Sequence, residues 1–472
     1  MESEILTIHH ELVTRQRSCY EIINDELSCV GQHDSLLLAE DALVSASAID
    51  RKIASGEPLG LLEGIPFGIQ DMLLLQNTIV TGGSDFLQNY RSPYTATAIQ
   101  QLLDAGAIPV VKEPCDCLEH HTGSLGASDE AKEITAFSIG DDDGGSIRQS
   151  AGYNKMYGLK PTFGRVSRWG SMSASSTSCI SPMASSLEDI RIILNAISGK
   201  DSNDVSTFAS GPISERVFNA NYLNRNIKIG YYQSFIENDV VEDDVKTNFQ
   251  QMIDRLSSIG IQIVPLDFFD INILVSTFYV LSMAETASNL AKLDGTVYGR
   301  REFAAQPNDD RAVQFNDDGA PKHIREGSYP TKNSSMMLRA AYLPEETKRR
   351  IIAGSRLLSH GYDIDVWLKA QQLKAAIIGK MNESFENVDI ILSPVTITPV
   401  SPNQRAATFN FEQIHPELFS TYMQDAFTVA FSLGGLPTLS VPFFLPAGIQ
   451  ITANKNREDL ILHVAKLLKD RQ

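Results

Sequence analysis

The residues that could do chemistry gather in a few short segments. Three aspartates, Asp141-Asp142-Asp143, run into Gly144-Gly145-Ser146 and then Ile147-Arg148. Taken alone, Gly144-Gly145-Ser146 reads as a tight turn. A serine hydroxyl is a weak nucleophile until a neighbouring base accepts its proton. Upstream, Gly64-Ile65-Pro66-Phe67-Gly68-Ile69-Gln70-Asp71 carries a glutamine, whose amide donates and accepts hydrogen bonds but has no useful protonation equilibrium near neutral pH. Cys115, Cys117, His120 and His121 are close enough in sequence to suggest zinc, which takes sulfur and imidazole ligands. No second cluster at a matching spacing completes such a site. Cys115-Asp116-Cys117, read as strand, turns both thiols to one face like small apolar side chains. Local packing is therefore the preferred reading, and neither a metal nor a cofactor is expected. Cys179 reads as a buried core thiol.

These residues need a scaffold to hold them, and the hydrophobic periodicity describes one. Residues 1 to 60 read as a helical part, with apolar positions at Leu12 and through Cys19-Tyr20-Glu21-Ile22-Ile23, and a second helical run from Leu36 to Ile53 broken by Gly56 and Pro58. Thr95 to Gly106 predicts a helix, followed by a strand at Ala107-Ile108-Pro109-Val110-Val111. A second alternation predicts a strand over Ile227 to Tyr232, a helix from Asp244 to Ile259 ended by Gly260, and a strand over Ile261 to Val264. Val388 to Leu392 reads as a strand and Glu458 to Leu468 as a terminal helix. Strand-helix alternation argues for an α/β layered fold, read here as a single domain over 1 to 472. Residues 304 to 330 are rich in Pro, Gly, Asn and Asp and predict a long surface loop, either a lid or a mobile excursion.

Composition narrows the partners. The chain has 472 residues, 43% of them hydrophobic, and a formal charge of -18 from 58 acidic and 40 basic residues. That balance repels phosphate backbones, so direct nucleic-acid binding is not expected. The five cysteines form no dense even framework, which suits reduced thiols. No apolar run is long enough to span a bilayer, and Met1-Glu2-Ser3-Glu4 lacks a basic signal start, so a cytoplasmic protein without membrane attachment is expected. A two-fold homodimer is the default assembly.

The ordered stretch Asp142 to Ala151, continued by Tyr157-Gly158-Leu159-Lys160-Pro161 through Gly170, resembles the amidase signature family. Asn289 to Gly295, Lys348 to Ile351 and Gly434 to Pro442 are similar to its amidotransferase branch. The resemblance implies a mixed central β-sheet of about eleven strands, covered on both faces by helices. It implies that Ser146 is the nucleophile. The backbone of Asp143, Gly144 and Gly145 up to Ser146 would form an oxyanion hole, since glycines let consecutive amides converge. It also implies a lysine where Gln70 stands, and a second, cis-bonded serine. Counting back without a gap from Ser146, Thr122 replaces that serine. Alternatively, Lys112 to Gly123 matches an earlier family stretch, the serine-glycine loop is deleted, and Ser124 and Ser128 are incidental. Asp129-Glu130-Ala131-Lys132-Glu133 would then be a more exposed rim.

For the substrate pocket the resemblance implies that Arg349 or Arg350 holds a carboxylate, Asp425 an amino group, and Tyr298 the cavity wall. The alternatives are a salt-bridged helix end for Lys348-Arg349-Arg350, an N-cap or surface carboxylate for Asp425, and a packed aromatic for Tyr298. Ser178 stands where the family has an aspartate. The leading expectation is a pseudoamidase, a binding or structural subunit that retains a pocket for a small amide or amino acid and joins amidotransferase-like partner subunits. Its rival is an active amidase or glutamine-hydrolysing amidotransferase subunit in which His120, His121 or an acid of Asp141 to Asp143 replaces the lysine. Ester hydrolysis or acyl transfer in the same pocket is a third.

Overall fold

Two strand-helix-strand units frame the molecule, and Gln70 lies at a strand end of the first. The computed structural model describes residues 2–30, 36–115, 135–173, 175–219, 221–223, 226–295, 298–299, 332–359, 363–399 and 422–471. Thr122, Cys117, His120, His121, Ser124, Ser128, the 129–133 run and the 304–330 segment lie outside the described residues.

In chain order the strands are β1 (Leu36–Leu37), β2 (Pro66–Gln70), β3 (Ile108–Glu113), β4 (Phe137–Asp142), β5 (Tyr157–Lys160), β6 (Cys179–Ala184), β7 (Lys228–Tyr232), β8 (Gln262–Leu266), β9 (Ile390–Pro394), β10 (Thr438–Val441) and β11 (Ile449–Ala453). They form one 11-stranded sheet in the order β1-β3-β2-β4-β6-β5-β10-β11-β9-β7-β8. The sheet is mixed. β2 runs parallel to β3 and β4, and β7 parallel to β8 and β9, while the central strands from β6 to β11 pair antiparallel. The helix Thr97–Asp104 is the crossover between β2 and β3, and Asp243–Ser258 is the crossover between β7 and β8.

β2, β4, β6, β9, β10 and β11 are buried at every position, as expected of strands covered on both faces. Within that core, polar residues collect at the carboxyl ends of parallel β2, β3 and β4, where Gln70, Glu113 and Asp142 are the last residues. Carboxyl strand ends are where open α/β sheets place ligand sites.

Some boundaries differ from the sequence reading, for local reasons. The first sixty residues hold three helices, Glu4–Val13, Cys19–Val30 and Ala39–Ser55, but also β1, which pairs with Val111 and Lys112 of β3. Gly56 does end the third helix, in the left-handed region at φ 80°. β9 starts at Ile390 because the Val388 N–H still donates to the Ser384 carbonyl and closes the preceding helix Ile364–Asn387. β3 ends at Glu113, so Cys115 falls beyond the strand in which its thiol was expected.

Candidate active site

Ser146 opens the helix Ser146–Tyr153 directly after β4 and its two glycines. Its half-buried hydroxyl donates to the carbonyl of Asp141 at 2.7 Å. The helix is anchored from below by Arg148, which is fully buried and donates through Nε at 3.0 Å and Nη2 at 2.8 Å to the Asp142 carboxylate. Nη2 also reaches Ser432 Oγ at 2.9 Å, tying the helix to the Val429–Gly434 helix. A guanidinium this deep is tolerated because its fork is matched bidentately.

The glycines are required by what presses on them. Gly145 has φ 135°, and a Cβ there would lie 2.5 Å from Thr428 Cβ. A Cβ on Gly144 would lie 2.9 Å from Asp425 Oδ2. The 425–428 segment therefore packs against the turn, and Asp425 is brought to the nucleophile-like serine's loop.

Gln70, the last residue of β2, is buried, and its Oε1 accepts the Asp141 N–H at 2.7 Å. The paired ladder between β2 and β4 stops at Ile69 and Ile139, so the glutamine side chain supplies the next rung. The Asp141 carboxylate accepts from Ser171 Oγ at 2.5 Å and from Ser178 Oγ. Asp143 accepts from Ser175 Oγ at 2.6 Å and from Thr177 Oγ1. Burial pushes the Asp143 carboxyl up to about 6 against the pull of these two hydroxyls, with the charges of Asp141 and Glu285 adding to the rise.

Beside these carboxylates opens a cleft of about 440 Å³ whose lining includes Arg168, Ser171, Ser175, Ser176, Ser178 and Glu285. Ser176 donates its hydroxyl and its N–H to Glu285, both at 2.7 Å. An ionised carboxylate only accepts, so each of these four serines has committed its proton to an acid. The serine side of the cleft thus presents oxygen lone pairs, suited to N–H donors, while Arg168 adds a guanidinium to the lining.

The residues expected around a substrate are only partly assembled. Asp425 is no surface carboxylate: it is 2% exposed and accepts from Tyr279 OH at 2.6 Å and Gln149 Nε2 at 2.8 Å. Arg350 is likewise buried, ion-paired through Nε to Glu346 at 2.8 Å, with its guanidinium 5.1 Å from the Tyr279 ring centre and 5.7 Å from that of Tyr422. Its Nη2 is buried with no hydrogen-bond partner among the described residues. Tyr279 thus links Arg350 to Asp425, and Asp425 to Gly144. Arg349 turns outward and pairs with Glu346, which fits the salt-bridged reading, although both arginines lie inside the helix Glu345–Leu358 rather than at its end. Tyr298 is 37% exposed and packs edge-on against Tyr90 at 5.8 Å, which fits the packed-aromatic alternative. Sequence reasoning missed Tyr279, Gln149, Glu346 and Tyr422. Only Gln149 carried a signal, one helical turn beyond Ser146.

The family model for amidases matches residues 20–120 and 127–462, broken over the stretch that holds Thr122. The chain belongs to the amidase signature family. The A subunit of glutamyl-tRNA(Gln) amidotransferase from Bdellovibrio bacteriovorus is 33% identical over 462 residues, covering 92% of this chain and 88% of that protein. Among solved structures, the A subunit of the same amidotransferase from Thermotoga maritima is 24% identical, covers 87% of this chain and 83% of its own, and has a TM-score of 0.64. A chain of a vestigial protein complex bearing on the origins of an s-triazine catabolic enzyme is 20% identical, covers 100% and 98%, and has a TM-score of 0.73. The two structural likenesses speak to the amidase fold. No helix among the described residues is long and apolar enough to cross a membrane.

Proposed function

We propose that this amidase-family chain resembles the amidotransferase A subunits in activity as well as sequence and acts on a small carboxamide at Ser146, with a carboxylate in place of the lysine as proton acceptor. The observation that carries this reading is the turn itself. Ser146 heads a helix behind two glycines, and Gly144 abuts a buried Asp425 that is joined through Tyr279 to a buried Arg350, whose Nη2 has no partner among the described residues. That sets the glycine turn against a buried acid that a tyrosine links to a buried base. In this reading Ser146 Oγ gives its proton to the carboxylate and attacks the amide carbon, and backbone N–H groups of the glycine turn receive the oxyanion. The acid returns the proton as ammonia leaves, and water, giving its proton to the same carboxylate, then hydrolyses the acyl-serine ester. Asp143, three residues before Ser146 in the same turn, is the proposed acceptor, and burial raises its carboxyl to about 6. The hydroxyl-lined cleft would take the amide N–H groups. Companion subunits would supply any contact with tRNA, which suits a charge of -18.

A second reading, binding without turnover, is favoured by one observation. Gln70 stands at the lysine position and spends its carbonyl on a backbone N–H. One experiment separates the two. The protein and its Ser146→Ala variant are treated with a fluorophosphonate, followed by intact mass, and assayed for ammonia release from glutamine and simple amides. Labelling and turnover that vanish in Ser146→Ala are expected, with labelling rising as pH passes about 6 and Asp143 loses its proton. Amide binding with neither labelling nor turnover would leave only the binding reading.

A further inference from the structure

One residue ahead of the turn is tied to a strand, to the cleft and to Ser146 at once. The Asp141 N–H is held by Gln70 at 2.7 Å, its carbonyl receives the Ser146 hydroxyl at 2.7 Å, and its carboxylate receives Ser171 at 2.5 Å and Ser178. We propose that Asp141 is the positioning residue for Ser146: anchored by β2 on one side and by the serine wall of the cleft on the other, its peptide sets the direction of the nucleophile's hydroxyl. The role as positioner of a nucleophile rests on the amide-acting reading above.

The geometry makes this more than a strand contact. Asp141 is the penultimate residue of β4, and in register it faces Ile180 of β6. A strand residue with this pairing needs no ionised side chain, and a carboxylate that is 1% exposed is costly unless satisfied. Ser171 and Ser178 satisfy it from two separate segments, an isolated bridge partner of Leu73 and the residue just before β6. With the carboxylate and the N–H both tethered, the carbonyl has little freedom to tilt. A hydroxyl that donates to it is presented in one orientation, with its lone pairs turned from the carbonyl. A backbone carbonyl cannot take the proton, so Asp141 aims Ser146 without activating it, and a separate base is still needed.

Because Ser178 Oγ and the Asp141 carboxylate are in direct contact, exchanging the two residues keeps one acid and one hydroxyl in the pair. The test uses D141S, S178D and the double variant D141S/S178D of the full chain. Fluorophosphonate labelling of Ser146 is followed by intact mass as a function of pH, and crystal structures of the variants are compared. D141S is expected to slow labelling roughly tenfold to a hundredfold, as small misplacements of reacting groups do. S178D alone sets two carboxylates together and is also expected to be slow. The double variant is expected to recover to within about threefold of the parent, with an unchanged pH profile, because the base is untouched. Parental labelling in D141S, or a double variant no faster than D141S, overturns the proposal. If D141S does not fold, D141N, which conserves volume and one acceptor oxygen, carries the test: slower labelling supports the proposal and parental labelling overturns it. Should no form label at all, the amide-acting reading fails, and the crystal structures then decide. A Ser146 hydroxyl that leaves the residue-141 carbonyl in D141S and returns in the double variant supports the positioning role, and one that stays put in D141S removes it.

Discussion

At the scale of single residues, Gln70 works as a hydrogen-bond acceptor inside the sheet. Its side-chain carbonyl completes the β2–β4 ladder by capturing the Asp141 N–H. Lysine offers three donors and no acceptor, so it cannot fill that role. Gln70→Lys is therefore expected to leave a buried N–H unsatisfied and to lower stability by about 1–3 kcal/mol, read from urea unfolding. The single substitution should not speed labelling of Ser146. A clear gain in labelling at parental stability would show instead that the position is a simple vacancy. The Ser178 hydroxyl likewise reaches across to β4 and donates to the Asp141 carboxylate. Neither partner could be found from the sequence, since Gln70 and Asp141 are far apart in the chain and nothing in their spacing forecasts contact.

At the scale of elements, the strand-helix-strand units were legible because each apolar strand is bounded by a glycine or a helix with its own period. What escaped the sequence is which polar residue of one strand fits beneath which gap in the next. Glu113, ending β3, is fully buried, accepts from Ser138 of β4, and reaches under Gly68 of β2, where any Cβ would overlap its carboxylate. Gly68 looked like an ordinary member of a strand; in the sheet it is the space that admits an acid. Gly68→Ala is expected to cost about 1–3 kcal/mol by overpacking. Adding Glu113→Ala should return most of that loss, because the clash is with the carboxylate rather than the backbone. Strictly additive effects, measured by the same unfolding curves in a double-mutant cycle, would refute the fit. The substrate-side residues follow the same logic. Arg350 and Asp425 could be suggested from sequence, but Tyr279, which joins them, sits in the middle of the apolar helix Ile271–Asn289 and reads there as core.

At the scale of the whole molecule, the buried acids set an unusual pH dependence. Burial pushes Glu113 up to about 7, Asp143 up to about 6 and Glu26 up to about 8, and raises Glu4 and Asp189 as well. Each of these groups has a folded pKa above its unfolded one. Its contribution is present in full below the unfolded carboxyl pKa and is lost as pH rises through the folded value. At Asp201, Asp204 and Asp459 the upward push of burial is outweighed by hydrogen bonds taken together, so these acids are shifted down. Their contribution is present above the ordinary carboxyl range and fades only in stronger acid. Between about pH 4.5 and 8 the raised acids therefore set the slope, and self-repulsion from a net charge of -18 adds to it. Unfolding free energy should fall by about 4–6 kcal/mol from pH 5.5 to pH 8. Glu113→Gln keeps the Ser138 contact without the charge, so it should flatten roughly a third of that decline. A stability that is level or rising over this range would contradict the assignment. The same titration links stability to chemistry. On the amide-acting proposal Asp143 must lose its proton to serve as a base, so Ser146 would become reactive at a pH where the fold has already given up part of its stability. Raising pH through about 6 should then increase labelling and lower the unfolding midpoint together, and Asp143→Asn should abolish the first while removing its share of the second.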